Sequence, residues 1–368
     1  MGKLFSTPSV LLYAIVLLMG LLGGAKFASA QRIKGYGFNY HAGQVWAHNK
    51  FVQNTAHAEV TMIQLEFDTH LGDTDTWIKS KHYPHQGWMI NYTNFGVPVL
   101  GHAINFAYYI QPTIGLGRYA ELGLRATAGI SIASNPYDAS TNPANFSYSL
   151  PVTPHLVIGV HTGIHLSSHL TLTNSIQLNH ISNASLSKPN SGANWPTLSA
   201  GLRYRTNPQL PKPLHDLKRP KDQKKLRADF TLFYARSMYS LTNRTLYSIS
   251  GIQVQGSYFG RLHGWTLGFE MAKDQVYNQL ISNNAIPIEK PVLISLMAGH
   301  EFIMGDFIFT QHFGKYVYQQ GNYYPSMYYH RWGFMYYPIR YFGIGLNLKV
   351  HIEQANCIDL RLNYALNH

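Results

Sequence analysis

His180 and Ser182 are separated by one residue, a spacing that could bring an imidazole and a hydroxyl into contact. On a β-strand, residues two apart share a face with Cα atoms roughly 6–7 Å apart, so modest rotamer adjustment would join the two side chains. The imidazole could then take the hydroxyl proton as the serine oxygen attacks an ester carbonyl, and later protonate the leaving alcohol. A structural Ser–His pair at the end of a strand is the alternative interpretation, because so short a pattern arises easily by chance.

The segment from Leu170 to Ser182 alternates with a period of two, which predicts a strand. One set of alternate positions is mainly apolar up to Leu178 and continues with His180 and Ser182, whereas the other set is polar. In a membrane barrel the apolar set faces lipid, so the two candidate residues would do so too. A hydroxyl or imidazole placed there without partners costs about 1–3 kcal/mol, which favours a functional role.

Similar alternation recurs along the chain and predicts an all-β fold. The clearest further segments are Ala120–Ile130, Phe342–Ile352 and Ile358–Tyr364. Counting such segments gives about eight strands between Gly35 and Arg205 and about eight more between Arg227 and Leu366, within the size range of bacterial barrels.

The composition also favours a barrel in a membrane. Charged residues make up only 12% of the chain, whereas aromatic residues reach 14%, with 26 Tyr and 18 Phe. About a quarter of a soluble domain is charged, and a bilayer barrel explains both departures through its apolar outer band and aromatic rims. A soluble β-sandwich with the apolar face as its core is the alternative.

The first 30 residues have the layout of a secretory signal peptide. Lys3 precedes an apolar run from Val10 to Leu22, and the small residues Ala28-Ser29-Ala30 follow as a cleavage pattern. The run is about 13 residues long, short of the roughly 20 that a transmembrane helix needs. Export to the outer membrane is therefore expected. In that location the net charge of +12 indicates anionic lipid headgroups rather than nucleic acid as the partner.

A polar, proline-interrupted and strongly basic segment separates the two sets of predicted strands. Its composition is typical of an exposed linker. We therefore expect a signal peptide at residues 1–30, a first barrel at 31–206, the linker at 207–226 and a second barrel-like unit at 227–368. This division favours two tandem eight-stranded antiparallel barrels, and one larger barrel with the linker as a loop is the alternative.

The string from His180 to Asn194 reads His-Ile-Ser-Asn-Ala-Ser-Leu-Ser-Lys-Pro-Asn-Ser-Gly-Ala-Asn. It resembles the signature of the lipid A 3-O-deacylase family, the PagL-type outer-membrane hydrolases that are also called acyloxyacyl hydrolases. The resemblance is specific in His-x-Ser-Asn-Ala and in Pro-Asn-x-Gly. It covers the first half of the mature chain in layout, with the motif on the next-to-last strand of an eight-stranded unit.

The resemblance implies that Ser182 is the nucleophile, that His180 is the general base and that Asn183 donates to the oxyanion. The family's third catalytic residue, a Glu that orients the histidine, falls at Asn194 here. A neutral Asn can accept the imidazole proton, but it cannot stabilise imidazolium by charge. Glu66 and Asp68 are conceivable substitutes on another strand.

The function that the resemblance implies is removal of an acyl chain from lipid A of lipopolysaccharide by a Ser–His mechanism, without a metal or other cofactor. The alternative is a non-catalytic outer-membrane barrel, either structural or a channel for small solutes. A metal site is a weaker candidate: His161, His165 and His169 recur at intervals of four, a spacing that divides them across a predicted hairpin.

Overall fold

The computed structural model describes residues 32–72, 83–207, 225–260, 262–282, 291–304, 306–319, 326–352 and 354–366. The predicted signal peptide and residues 208–224 of the predicted linker lie outside this part. The described chain forms two compact units, and each is a closed eight-stranded antiparallel barrel. The predicted all-β fold with two tandem barrels is confirmed, and the single larger barrel does not form. No helix among the described residues is long and apolar enough to cross a membrane.

The first barrel contains the strands β1 Arg32–Gln44, β2 Glu59–Leu71, β3 His85–Asn94, β4 His102–Gln111, β5 Thr113–Leu116, β6 Ala120–Ala133, β7 Val152–His165, β8 Leu170–Ile181 and β9 Ala193–Arg205. Both β4 and the short β5 pair with β6, so together they serve as one strand that is interrupted at Pro112, which has no backbone N–H to donate. Pairing of β1 with β9 closes the barrel.

The second barrel contains the strands β10 Lys225–Met238, β11 Leu246–Phe259, β12 His263–Asp274, β13 Val292–Met304, β14 Phe307–Tyr318, β15 Tyr328–Ile339, β16 Phe342–His351 and β17 Gln354–Leu366. Pairing of β10 with β17 closes it. A short helix, α1 Gln275–Ser282, follows β12. The first strand begins at Lys225, two residues before the predicted start at 227.

The outer faces of the barrel walls are apolar and the inner faces are polar. On β8 the outward Ile176 is 65% exposed, whereas its inward neighbours Ser175 and Gln177 are buried. On β12 the outward Leu267 is 72% exposed. A soluble sandwich would bury its apolar face, so this arrangement fits a barrel surrounded by lipid instead.

Charged side chains occupy the described interior of both barrels. In the first, Glu66 pairs with Arg125, and in the second, Arg331 Nε lies 2.7 Å from a carboxylate oxygen of Glu270. A cavity beside Arg227 in the second barrel has a volume of about 20 Å³, room for roughly one water molecule.

Four loops meet at one end of the first barrel because consecutive strands run in opposite directions. They are residues 45–58, 95–101, 134–151 and 182–192. Beneath them lies a buried apolar cluster of Val45, Val60, Met62, Phe95, Leu100, Ala103, Ala133, Tyr148, Ile181, Ala193 and Trp195. The cluster gives the loops a packed base, and the loop 182–192 contains two of the candidate site residues, Ser182 and Asn183.

Candidate active site

His180 lies on the outer face of the first barrel, at the end of β8. The alternation of the strand continues to its last residue, and Ile181 is fully buried in the apolar cluster at the barrel end. Because successive side chains of a strand point to opposite faces, burial of Ile181 directs His180 outward. The predicted position of His180 on the apolar face agrees with the structure.

Ser182 is the first residue of the loop, because β8 ends at Ile181. Its Oγ nonetheless lies 2.9 Å from His180 Nε2, within hydrogen-bond distance. Ser182 is 6% exposed, so it is covered although it contacts the outward-facing His180. The chain turns sharply after Asn183, where Ala184 and Ser185 have φ of 52° and 64°. This left-handed backbone costs roughly 1–2 kcal/mol per residue.

Asn194 on β9 is the direct cross-strand partner of His180. Its Oδ1 lies 2.6 Å from His180 Nδ1. An amide oxygen can only accept a hydrogen bond, so Nδ1 carries the imidazole proton and Nε2 is free to accept from Ser182. The structure therefore brings the three residues Ser182, His180 and Asn194 together in one hydrogen-bonded series.

His48 extends this series and was missed in the sequence. Its Nδ1 lies 2.8 Å from Nδ2 of Asn194, a residue 146 positions away in the chain. The backbone N–H of Trp46 donates to the Asn194 carbonyl at 2.8 Å, which continues the register of β1 against β9 beyond the strand ends. No local pattern marks His48, because only closure of the barrel brings it to the site.

Asn183 forms hydrogen bonds through both its backbone and its side chain. Its backbone N–H donates to Asn190 Oδ1 at 2.8 Å, and its side-chain Nδ2 donates to Ser149 Oγ at 3.2 Å. Asn190 is the Asn of the Pro-Asn-x-Gly motif, whereas Ser149 lies in the loop 134–151 and carries no sequence signal. Backbone bonds from Ser191 and Gly192 to carbonyls of that same loop fix the two loops together.

Gly192 passes close to the histidine ring. Its φ is +79°, in the left-handed region that favours glycine, and a Cβ at this position would lie 2.8 Å from His180 Cε1. The Gly of the motif is therefore required by the backbone conformation and by the space available, since any side chain there would displace the imidazole.

Glu66 and Asp68 do not orient His180. Both are buried in the barrel interior on β2, where Glu66 pairs with Arg125 and Asp68 Oδ2 accepts from His85 Nδ1 at 2.8 Å. His180 projects from the opposite side of the wall, so the proposed substitution by either carboxylate is wrong.

The three regularly spaced histidines do not converge. His161 and His165 lie on β7, and His169 lies in the turn before β8. Within the described ranges, no group of three or more His, Cys, Asp or Glu side chains is arranged to hold a metal ion. The single cysteine, Cys357, is buried and free.

The arrangement of the site is suited to acyl transfer. A serine hydroxyl contacts an unprotonated imidazole nitrogen, and a fixed acceptor holds the other nitrogen. This is the geometry in which a histidine activates a serine as a nucleophile. The pair stands at the edge of an apolar outer surface, where the acyl part of a lipid would lie.

Two family models match the chain. The model described as lipid A 3-O-deacylase (PagL) matches residues 35–203, and the model described as the C-terminal domain of acyloxyacyl hydrolase matches residues 226–368. The two matched ranges correspond to the first and second barrels. No curated protein sequence matches the chain.

Among solved structures, the outer membrane enzyme PagL is 16% identical with a TM-score of 0.34, over 45% of this chain and 97% of that chain. A mutant porin of Rh. blastica is 10% identical with a TM-score of 0.20, over 91% of this chain and 99% of the porin. The Acinetobacter baumannii outer membrane protein Omp33 is 6% identical with a TM-score of 0.15, over the same shares. All three TM-scores are below 0.5, so these matches carry no argument about fold or function.

Proposed function

The chain belongs to the lipid A 3-O-deacylase (PagL) family of ester hydrolases, and we propose that it hydrolyses an acyl ester of lipid A through Ser182 and His180. The observation that carries this proposal is the hydrogen-bonded series at the end of β8. Ser182 Oγ lies 2.9 Å from His180 Nε2, and His180 Nδ1 lies 2.6 Å from Asn194 Oδ1. These contacts support a serine-hydrolase mechanism.

In the proposed reaction, Ser182 Oγ attacks the ester carbonyl carbon while His180 Nε2 takes its proton. Asn183 donates to the oxyanion of the tetrahedral intermediate. The bond to the sugar oxygen then breaks, and the imidazolium protonates the leaving alcohol. Water, deprotonated by His180, attacks the acyl-serine and releases the fatty acid. Serine is regenerated, and the reaction consumes one water molecule for each ester bond.

Lipid A is the proposed substrate for two reasons. The matching family is described by its 3-O-deacylation of lipid A. His180 also projects from an apolar outer wall whose neighbours include the exposed Ile176, so a membrane lipid could bring its ester to the site while its acyl chains stay in contact with the barrel. We therefore place the protein in the outer membrane, reached through a cleaved signal peptide.

The test is lipid A profiling by mass spectrometry in cells that express the wild type or Ser182→Ala. We expect the wild type to produce lipid A that lacks one acyl chain, together with the free fatty acid. Loss of the nucleophile should lower the rate by at least about 10³-fold, because the remaining groups cannot replace it.

A matched control is Ser131→Ala. Ser131 is a fully buried serine on β6 of the same barrel, and its hydroxyl has no hydrogen-bond partner in the part of the chain that is described. This variant should deacylate lipid A as the wild type does. Unchanged lipid A on expression of the folded wild type, or full activity of Ser182→Ala, would contradict the proposal and favour a non-catalytic barrel.

A further inference from the structure

Asn194 poses a problem of orientation that a carboxylate at the same position would not. Both oxygens of a carboxylate accept hydrogen bonds, so either one can face the imidazole. An amide has one acceptor and one donor. Turned by 180°, Asn194 would present Nδ2–H to His180 Nδ1, which could then no longer donate its proton there. The wrong histidine tautomer would follow, with its proton on the nitrogen that must accept from Ser182.

His48 resolves this ambiguity. Its Nδ1 lies 2.8 Å from Asn194 Nδ2, and an unprotonated ring nitrogen accepts from an amide N–H. In the observed orientation both ends of the amide are matched, with Oδ1 toward His180 and Nδ2 toward His48. In the reversed orientation Oδ1 would face His48 Nδ1, and two acceptors would be in contact as long as that ring nitrogen carries no proton.

The backbone fixes His48 in this place. Trp46 donates to the Asn194 carbonyl at 2.8 Å, and Val45 donates to the carbonyl of Ala58 at 2.8 Å. On the other side, Asn49 caps the 3₁₀ helix Lys50–Thr55 by accepting from the N–H of Phe51. The imidazole is thus held between an extended β1–β9 pairing and a capped helix.

The second ring nitrogen of His48 also has a neighbour. The side-chain Nδ2 of Asn49 lies 3.2 Å from His48 Nε2. A neutral imidazole accepts at only one of its nitrogens, and the shorter contact is the one to Asn194.

We propose that His48 is a positioning residue that sets the amide of Asn194 with its oxygen toward His180, and so makes an asparagine workable where the resembling family has a glutamate. This inference rests on the proposed function, because it assigns His48 a part in the same reaction. His48 itself touches neither the serine nor the ester. It acts through Asn194 on the tautomer of His180.

The test is a double-mutant cycle between His48→Phe and Asn194→Asp, measured as deacylation of lipid A by the purified full chain in detergent. Phenylalanine keeps a ring but removes the acceptor, and aspartate is isosteric with asparagine but accepts at both oxygens. His48→Phe should lower kcat about 10- to 100-fold with little change in KM, the range typical of outer hydrogen-bond partners of histidines at metal sites. In the Asn194→Asp background it should change kcat less than about 2-fold, because a carboxylate needs no orientation.

The control is His57→Phe. His57 lies in the same loop, and its Nδ1 lies 3.4 Å from Oε1 of Gln44. This variant should keep wild-type kcat and KM. Equal losses from His48→Phe in both backgrounds would indicate a merely structural role, and no loss in either would also overturn the inference.

A second readout does not depend on activity. NMR of protein labelled with ¹⁵N-histidine reports the tautomer of His180, whose signals are identified by their loss in His180→Gln. We expect the Nδ1–H form in the wild type, a mixture in His48→Phe and the Nδ1–H form again in the double variant. A pure Nδ1–H form in His48→Phe would overturn the inference. The expected tautomers in a wild type that leaves lipid A intact would instead count against the proposed function alone.

Discussion

His180 and Asn194 face each other directly across β8 and β9, and the imidazole Nδ1 lies 2.6 Å from the amide Oδ1. The contact leaves Nε2 unprotonated and 2.9 Å from Ser182 Oγ. An amide fixes the ring without adding negative charge, so the imidazolium that forms during acylation is stabilised less than it would be beside a carboxylate. Asn194 therefore gives His180 the tautomer that the reaction needs, but it stabilises the imidazolium less than a carboxylate would.

The first prediction concerns the charge at position 194. Asn194→Asp should raise kcat about 10-fold, because the carboxylate keeps the tautomer and also stabilises imidazolium, whereas Asn194→Ala should lower kcat about 10²- to 10⁴-fold because the ring loses its acceptor. Both rates can be measured as fatty acid release from lipid A in detergent. A variant with aspartate slower than the wild type would contradict this account of the contact.

The second prediction concerns the oxyanion. Asn183→Ala should lower kcat about 10²- to 10³-fold with a small change in KM, because its amide is expected to stabilise only the tetrahedral intermediate. Ser149→Ala removes the Oγ that accepts from Asn183 Nδ2, and it should have a smaller effect of about 10-fold. Wild-type kcat in Asn183→Ala would remove this residue from the reaction.

The third prediction compares two glycines with similar backbone conformation. Gly192 has φ of +79° with His180 Cε1 2.8 Å from a built Cβ, whereas Gly117 has φ of +72° with no atom within 4 Å. Alanine at either position should cost roughly 1–2 kcal/mol of stability from the left-handed backbone. Only Gly192→Ala should also lower kcat, by displacing the imidazole. Equal activity of the two variants would show that the ring can move aside without loss.

The fourth prediction separates stability from catalysis. Glu66→Gln breaks a buried ion pair with Arg125 in the interior of the first barrel, which should lower the free energy of unfolding by about 3–5 kcal/mol. Because Glu66 does not reach His180, kcat should stay at the wild-type value. Urea unfolding of the folded barrel and deacylation assays on the same preparation measure the two quantities. A large loss of kcat at full stability would reinstate Glu66 as a candidate partner of the histidine.

The fifth prediction concerns pH. Tyr148 lies in the loop 134–151, and its phenol donates a hydrogen bond to the carbonyl of Leu100. Burial raises the pKa of this phenol above its usual value. The folded pKa lies above the unfolded one, so this contribution to stability is complete below about pH 10 and is lost as the pH rises further. Tyr148→Phe cannot ionise. Between pH 8 and pH 11, the free energy of unfolding of Tyr148→Phe should therefore fall less than that of the wild type. Identical decreases in the two proteins would exclude this role for Tyr148.

Much of the fold and part of the site could be predicted from local patterns. Alternation of side chains indicated the strands and the outward face of His180, because the period of two is a property of each strand alone. The motif predicted Ser182, His180, Asn183 and Asn194 as site residues, and β8 and β9 pair on either side of the loop that the motif spans. Because this loop is short, the contacts among these residues join positions that are close together in the chain.

The remaining contacts depend on closure of the first barrel. His48 reaches Asn194 only because β1 pairs with β9, and Ser149 reaches Asn183 only because the loops 134–151 and 182–192 share one end of the barrel. Glu66 is likewise separated from His180 by the barrel wall, because Glu66 points into the interior and His180 lies on the outer face. Such contacts join residues far apart in the chain, and no local periodicity encodes which distant side chain will meet which.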